Sequence, residues 1–310
     1  MERTSNIPEK QNTEHALKFI AAWSQLYGRA KFIAGWQFWL AVPGALAMSL
    51  IAIRWPEAKV VTTPLALVFG WLDILWLDPI QNDRKKIAAK TQEQFDCELF
   101  DLPWNSVRCS TMPESEILSE AAAEFRQENP NPQHRDWYPP EVSRVPIPLA
   151  RLICQRAAVW WDMSQRKKYG GWLLGIALVF IAGIIAFSFT ADLKVRDMIL
   201  GVYLPFAPVV VWGVRECRRQ RDAANALEKM KLQIETIFQE SITGKHDRVA
   251  LDYSSRNVQD MVFDGRSRNP LLFNCIYRRL RDSHEVRMNE KAREMVDEAL
   301  AKQSRWNFCD

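Results

Sequence analysis

Four apolar blocks decide what this chain can fold into: Gly35 to Ile53, Val60 to Leu77, Gly171 to Phe189 and Met198 to Val214. A lipid hydrocarbon core about 30 Å thick needs roughly 20 mostly apolar residues in a helix, while the core helices of soluble proteins more often carry runs of about 10–14. The blocks match the first length. The third is the clearest, with no charged residue and long runs of Leu, Ile, Val and Phe. Pro43, Pro64, Pro205 and Pro208 interrupt the others, which a spanning helix tolerates when its neighbours satisfy the freed carbonyls. The fold class that follows is an all-α integral membrane protein. It has four transmembrane helices and an α-helical cytosolic domain built from the central loop and the C-terminal third.

The flanking cations set the orientation, because Lys and Arg concentrate on the cytoplasmic side of short loops. Lys18, Arg29 and Lys31 precede the first block, and Arg84, Lys85, Lys86 and Lys90 follow the second. Arg166, Lys167 and Lys168 precede the third, and Arg215, Arg218, Arg219 and Arg221 follow the fourth. The two short connections hold only Arg54 with Lys59, and Lys194 with Arg196. Both termini and the loop from Ile80 to Tyr169 are therefore expected inside. The organisation reads as a cytosolic amphipathic segment (1–34), two spans (35–79), a cytosolic insert (80–169), two spans (170–214) and a C-terminal cytosolic region (215–310). Residues Met1 to Lys31 contain no apolar signal-peptide core.

Composition narrows the function classes. Forty-one Lys and Arg against 37 Asp and Glu give a net charge of only +4, too weak a bias for a DNA or RNA polymer as partner. Thirteen Trp and 15 Phe suit membrane interfaces, where an aromatic ring has one dry and one wet end. The six cysteines (Cys97, Cys109, Cys154, Cys217, Cys275, Cys309) include no C-x-x-C pair, and the four histidines have no ligand spacing. No metal site is expected, and the thiols read as reduced.

The polar parts carry helical patterns. Leu17, Ile20, Trp23 and Tyr27 recur at helical spacing over Glu14 to Lys31. A helix is expected to continue the second span through Ile87 to Phe100, and another over Glu114 to Glu128. Pro130, Pro132, Pro139, Pro140, Pro146 and Pro148 make the next stretch irregular. Helix resumes at Leu149 and runs into the third span. A helix continuing the fourth span to Ile242, with Leu227, Met230, Ile234 and Phe238 as its stripe, stops at Gly244. Three more are expected around Val258 to Phe263, over Leu271 to Leu280, and over Glu285 to Lys302.

No catalytic fingerprint is present: neither G-x-S-x-G, a P-loop, G-x-G-x-x-G nor H-E-x-x-H occurs. No catalytic residue, cofactor or enzymatic activity is assigned. Asp73 lies inside the second span. A carboxylate there is costly and faces a bundle interior or water, so it either lines an aqueous path, or reaches the interface by tilt or pairs with a basic group. Gly171-x-x-x-Gly175, Ala182-x-x-x-Ala186 and Ala45-x-x-x-Ser49 permit close helix approach, read first as packing within the chain. Three polar stretches stand out: Gln92 to Asn105, Asp136 to Asp162 and Arg256 to Met288. The second and third mix Arg with aromatics and acids. Arg forks bind phosphate oxygens and aromatic faces stack on bases, which is what a small nucleotide needs. The alternative is a buried lattice of arginines and acids tying the halves of the domain together.

At these stretches, QEQFDCELFDLPWN and DWYPPEVSRVPIPLARLICQRAAVWWD, the chain resembles the SMODS-associated four-transmembrane effector family. The third stretch fits that family's C-terminal pattern at Arg256, Gln259, Asp260, Arg266, Pro270, Tyr277, Arg281, Glu285 and Met288. The resemblance runs from Asn6 to Met288. It implies a pore-forming effector of a bacterial cyclic-oligonucleotide anti-phage system (CBASS), in the inner membrane with both termini cytoplasmic. A partner CD-NTase nucleotidyltransferase makes a cyclic di- or trinucleotide, the activating ligand. The effector binds it, forms homo-oligomers and breaches the lipid bilayer, so that the infected cell stops before phage matures. The expected ligand contacts are Arg156, Arg256, Arg266 and Arg268 for phosphates and Trp137, Tyr138 and Trp160 for bases, with Asp73 lining the pore. An ordinary small channel or transporter, and a membrane scaffold recruiting a cytosolic partner, remain as other classes.

Overall fold

The computed structural model describes residues 4–130, 135–190 and 203–305. Pro132, Lys194, Arg196, Met198 and Cys309 lie outside the described residues, as do the side chains of Ala45, Ser49, Ile53, Lys59, Pro205, Pro208, Cys275 and Tyr277. Among the described residues the fold is all α, with one isolated antiparallel bridge between Thr4 and Pro146 in place of any strand. The helices are α1 (Ile7–Lys10), α2 (Glu14–Trp39), α3 (Ala45–Arg54), α4 (Lys59–Leu72), α5 (Asp78–Phe100), α6 (Ser106–Cys109), α7 (Ser115–Glu128), α8 (Ile147–Thr190), α9 (Leu204–Ile242), α10 (Arg248–Arg268) and α11 (Asn274–Ala301). They form two compact units.

The first unit comprises Met1–Gly28, Arg84–Gln165 and Ala223–Asp310. Its core is one large cluster, with a small second one at Ala89, Cys109 and Phe263. Phe19, Ile20, Trp23 and Leu26 of α2 join Phe95 and Phe100 of α5 and Leu149, Leu152 and Ile153 of α8. Ile234, Phe238 and Ile242 of α9, each one turn from the last, complete it with Leu251 and Val258 of α10 and Met295 and Val296 of α11. The N-terminal segment belongs to this core: Ile7 is fully buried, and the Gln11 side chain donates to the Tyr138 carbonyl and accepts from the Tyr138 amide. Gly244, at φ 79°, ends α9 in the left-handed conformation that glycine adopts without strain.

The C-terminal region departs from its pattern. Leu271–Leu280 and Glu285–Lys302 were expected as separate helices, yet Asn274–Ala301 is one helix of 28 residues. Asp282, Ser283 and His284 read as a break because such residues favour caps and turns. Here His284 is fully buried. Its ring lies 5.4 Å from that of Trp160 and 5.6 Å from that of Trp161, and this packing keeps the helix going.

The second unit comprises Arg29–Asp83 and Arg166–Asp222. It turns its apolar side chains outward: Val60 is 79% and Val179 74% exposed, and Trp36, Trp39, Trp71 and Trp76 are exposed too. A contiguous apolar surface on this scale marks an interaction with lipid or protein. Among the described residues two helices, Val60–Phe100 and Ile147–Ala186, are long and apolar enough to cross a membrane. Two π-helical segments, Leu40–Gly44 and Asp73–Leu77, interrupt the regular turns. Pro43 lies in the first and Pro79 just after the second. A proline ring clashes with the carbonyl four residues back, and the wider π turn relieves that clash. Gly171 and Gly175 face open space rather than a neighbouring helix, so the close packing expected of that pair is not made. The close approach falls at Gly170, whose carbonyl accepts from the Cys217 thiol at 3.5 Å.

Candidate functional site

The chemistry-bearing side chains of the first unit converge on one buried polar lattice between α5 and α10. Glu93, Asp96 and Cys97 occupy positions i, i+3 and i+4 of α5 and share a face. Arg256, Gln259 and Asp260 do the same on α10. The Arg256 guanidinium donates to Glu93 Oε1 at 2.5 Å, to Asp260 Oδ1 at 2.8 Å, to the Pro103 carbonyl at 3.0 Å and to Cys97 Sγ at 3.2 Å. Arg266 donates to Asp96 Oδ2 at 2.5 Å. The Gln259 amide bridges the two acids, at 2.8 Å from Glu93 Oε2 and 2.9 Å from Asp96 Oδ2. The Tyr138 hydroxyl donates to Asp96 Oδ1 at 2.7 Å. From α8, Gln155 donates to the Ser255 carbonyl and to Gln259 Oε1. Asn105 ties the α5–α6 connection to Asp260 at 2.7 Å.

Burial sets the electrostatics. Glu93 and Asp96 are fully buried; with Asp260 they set three carboxylates against Arg256 and Arg266, so that each buried acid has a cationic partner, as burial demands. Burial still pushes the Glu93 carboxyl above its ordinary value, with the Asp96 charge adding to it, against the pull of Arg256. Burial pulls Arg256 down, and the charge and hydrogen bond of Glu93 more than offset it, so its guanidinium stays firmly protonated. Burial and the neighbouring Glu93 charge likewise keep the Cys97 thiol protonated, and push Cys109 up to about 12. Neither has the thiolate character of a reactive cysteine. Three buried atoms beside the lattice, Gln155 Oε1, Ser255 Oγ and Arg256 Nε, have no hydrogen-bond partner among the described residues. Among the described residues no group of His, Cys, Asp and Glu could hold a metal ion.

The residues expected to meet a nucleotide fall in several places. Tyr138, Arg256 and Arg266 come together around Glu93 and Asp96. The Tyr138 ring is packed among Phe95 and Phe100 with 1% of its surface exposed, so neither face is open. Trp137 is half-buried and meets Trp23 edge-on at 5.3 Å. Arg156 donates to Glu235 of α9 at 3.0 Å, and Trp160 lies against His284; both are apart from the lattice. The Arg268 side chain is 77% exposed, with Asp264 at 3.8 Å. The sequence alone does not single out Glu93, Asp96 or Asp260 as site residues. For Glu93 and Asp96 the available signal is the i, i+3 spacing of two acids on one face of α5. A second anchor was also missed: Arg151 donates to Asp252 and to the Phe100 and Asp101 carbonyls.

In the second unit, Asp73 opens the π segment Asp73–Leu77 and accepts a hydrogen bond from Gln37 Nε2 at 2.7 Å. Its partner is a neutral amide rather than a basic group. Arg166 of α8 donates to Gln220 of α9 at 2.8 Å.

Residues 5–295 match the family model described as the SMODS-associating 4TM effector domain. A protein of Bacillus cereus (strain VD146), described as a probable CBASS effector molecule, is 21% identical over 261 residues, or 82% of this chain and 86% of its own length. No solved structure matches. The matched region takes in α5, α8 and α10, which build the lattice, and the apolar helices of the second unit. The chain belongs to the SMODS-associating 4TM effector family.

Proposed function

We propose that this protein is the membrane effector of a bacterial CBASS system, switched on by a cyclic di- or trinucleotide. Four spans hold it in the inner membrane with both termini cytoplasmic. A CD-NTase makes the signal, and the activated effector oligomerises and breaches the bilayer to stop the infected cell. The observation that carries this reading is membership of the effector family along almost the whole chain, joined to the relative described as a probable CBASS effector molecule.

The fold supports a physical route. The 44-residue helix α8 starts among lattice partners at Gln155 and ends in an exposed apolar run. A ligand that favours one setting of α8 over another shifts its apolar end by as much as its affinities for the two settings differ. Arg256 and Arg266 are spoken for by carboxylates, so a phosphate reaches them by exchange. The phosphate takes the guanidinium, and the released Glu93, already displaced toward its protonated form, takes up a proton. Arg268, exposed at the end of α10, is the first cation such a ligand meets. Trp137 and Trp160 offer partly open rings, and Tyr138 becomes available only as the lattice opens. Asp73 lines the path that opens in the membrane.

Dye release from liposomes containing the full chain, with cyclic di- and trinucleotides added singly, tests this. Release with one compound and silence with the rest supports ligand-gated breaching. Silence with every compound, for folded protein that binds one of them, overturns breaching and favours a scaffold. Release with no compound added points to an ordinary channel.

A further inference from the structure

On α9, Val210, Val211, Val214, Arg215, Arg218, Arg219 and the acid Asp222 line an open groove of about 600 Å³. Their alternating spacing of one and three residues places them on a single face. Along that face the chemistry changes within one turn. Val211 and Val214 are 64% and 45% exposed, and the three arginines beyond them are exposed as well. Arg219 has Glu216 at 3.5 Å. Arg215 and Arg218 pair with no carboxylate among the described residues. Glu216 and Asp222 are the acids of this stretch, against Arg215, Arg218, Arg219 and Arg221, so the face keeps a net positive charge.

We infer that this face is a binding site for an anionic phospholipid of the cytoplasmic leaflet. The lipid phosphate sits on Arg215 and Arg218, and an acyl chain lies along Val210, Val211 and Val214. An apolar surface and a guanidinium pair in that order match one molecule, a hydrocarbon chain ending in a phosphate. A soluble phosphate leaves the valines in water. A zwitterionic headgroup brings its own ammonium against the guanidinium groups. A second copy of the chain docking symmetrically sets arginine against arginine, which repels. The attraction is of the juxtamembrane polybasic kind, sharpened by unpaired Arg forks that grip phosphate oxygens. The site rests on the proposed placement of the apolar end of α9 in the membrane with Arg215 on the cytoplasmic side, and not on the proposed nucleotide.

Native mass spectrometry of the full chain, released from mixed micelles of phosphatidylglycerol and phosphatidylcholine, tests the site. The wild type retains phosphatidylglycerol at least about tenfold over phosphatidylcholine, as expected from two basic side chains near an anionic surface. R215Q/R218Q loses that preference, while the charge-matched control R84Q/K86Q keeps it. V211S/V214S retains less lipid, and free glycerol phosphate does not displace it. Equal loss in both charge variants overturns the site in favour of a diffuse basic collar. Displacement by glycerol phosphate overturns it in favour of a soluble anion, and lipid-free dimers in favour of a second copy. If circular dichroism finds R215Q/R218Q unfolded, R215K/R218K decides: a retained preference supports the site and a lost one overturns it.

Discussion

Nη1 of Arg266 lies 2.5 Å from Oδ2 of Asp96, a pair joined across 170 residues of chain. Asp96 also receives the Tyr138 hydroxyl and the Gln259 amide, so two separate segments, α10 and the stretch around Tyr138, meet on one buried carboxylate of α5. Removing one partner of such a pair leaves an uncompensated charge and costs about 3–5 kcal/mol, whereas replacing both by apolar groups of similar size is often close to neutral. R266A is therefore expected to lower the thermal midpoint of the folded protein sharply. D96L/R266L is expected to be milder than the sum of its single changes, the sign of a coupled pair. Additive losses would show that the contact contributes nothing as a pair.

Glu93 gives the fold a pH dependence of known sign. Its carboxyl is raised by burial above the ordinary value of 4.5, so the folded state keeps a proton over a range where the unfolded chain has lost it. The stability this supplies is full below the ordinary value and is lost as pH rises through the raised one. Melting curves taken upward from pH 4.5 should fall more steeply for the wild type than for E93Q, which has no proton to lose there. Parallel curves would place the titration elsewhere.

Asp73 and Gln37 can be separated into structure and path. D73N keeps an oxygen able to accept the Gln37 hydrogen bond, so its unfolding free energy should stay within about 1 kcal/mol of the wild type's. If Asp73 faces water in the activated protein, the same change should lower cation flux severalfold in planar bilayers. Unchanged flux would leave the residue as a helix contact alone.

Gly171 offers a change that should strengthen the protein. A Cβ added there meets nothing within 4 Å, and alanine in place of glycine in a helix interior contributes about 0.5–1 kcal/mol. G171A should raise the melting temperature; a fall would mean that α8 bends at this point.

Two of the four apolar blocks, those starting at Val60 and Gly171, fall among the described residues in helices long and apolar enough to cross a membrane; they were legible because an apolar run of spanning length has few other uses, and α8 followed from the pattern running on from Leu149. The merging of two expected helices into α11 was not legible. What holds Asp282 to His284 in helix is a tertiary contact, His284 against Trp160 and Trp161, and local preference is silent about it. The π segments were hidden for a related reason: a proline announces a disturbance without saying which wider turn absorbs it. For the site, Arg256, Arg266 and Tyr138 stood out as chemistry-bearing residues. Their partners did not, since composition says that acids and arginines are present and not which of them meet. Glu93 and Arg256 are 163 residues apart. Only the packing of α5 on α10 pairs them.

The π segments also bear on how such helices change over generations. Each holds one residue more than an α-helix would place along the same rise. A residue in an α-helix is rotated about 100° from the one before it. Deleting one residue inside Leu40–Gly44 or Asp73–Leu77 would restore the regular turn and leave every later side chain of that helix facing as before, because the wider turn has already absorbed the extra residue. Deleting one residue from a regular stretch of the same helices would instead swing every later side chain round by about 100° and trade the aromatic rings now facing outward for a different set. These two short segments are where an in-frame codon loss would be absorbed, while the same loss elsewhere would rewrite the surface that the helices present.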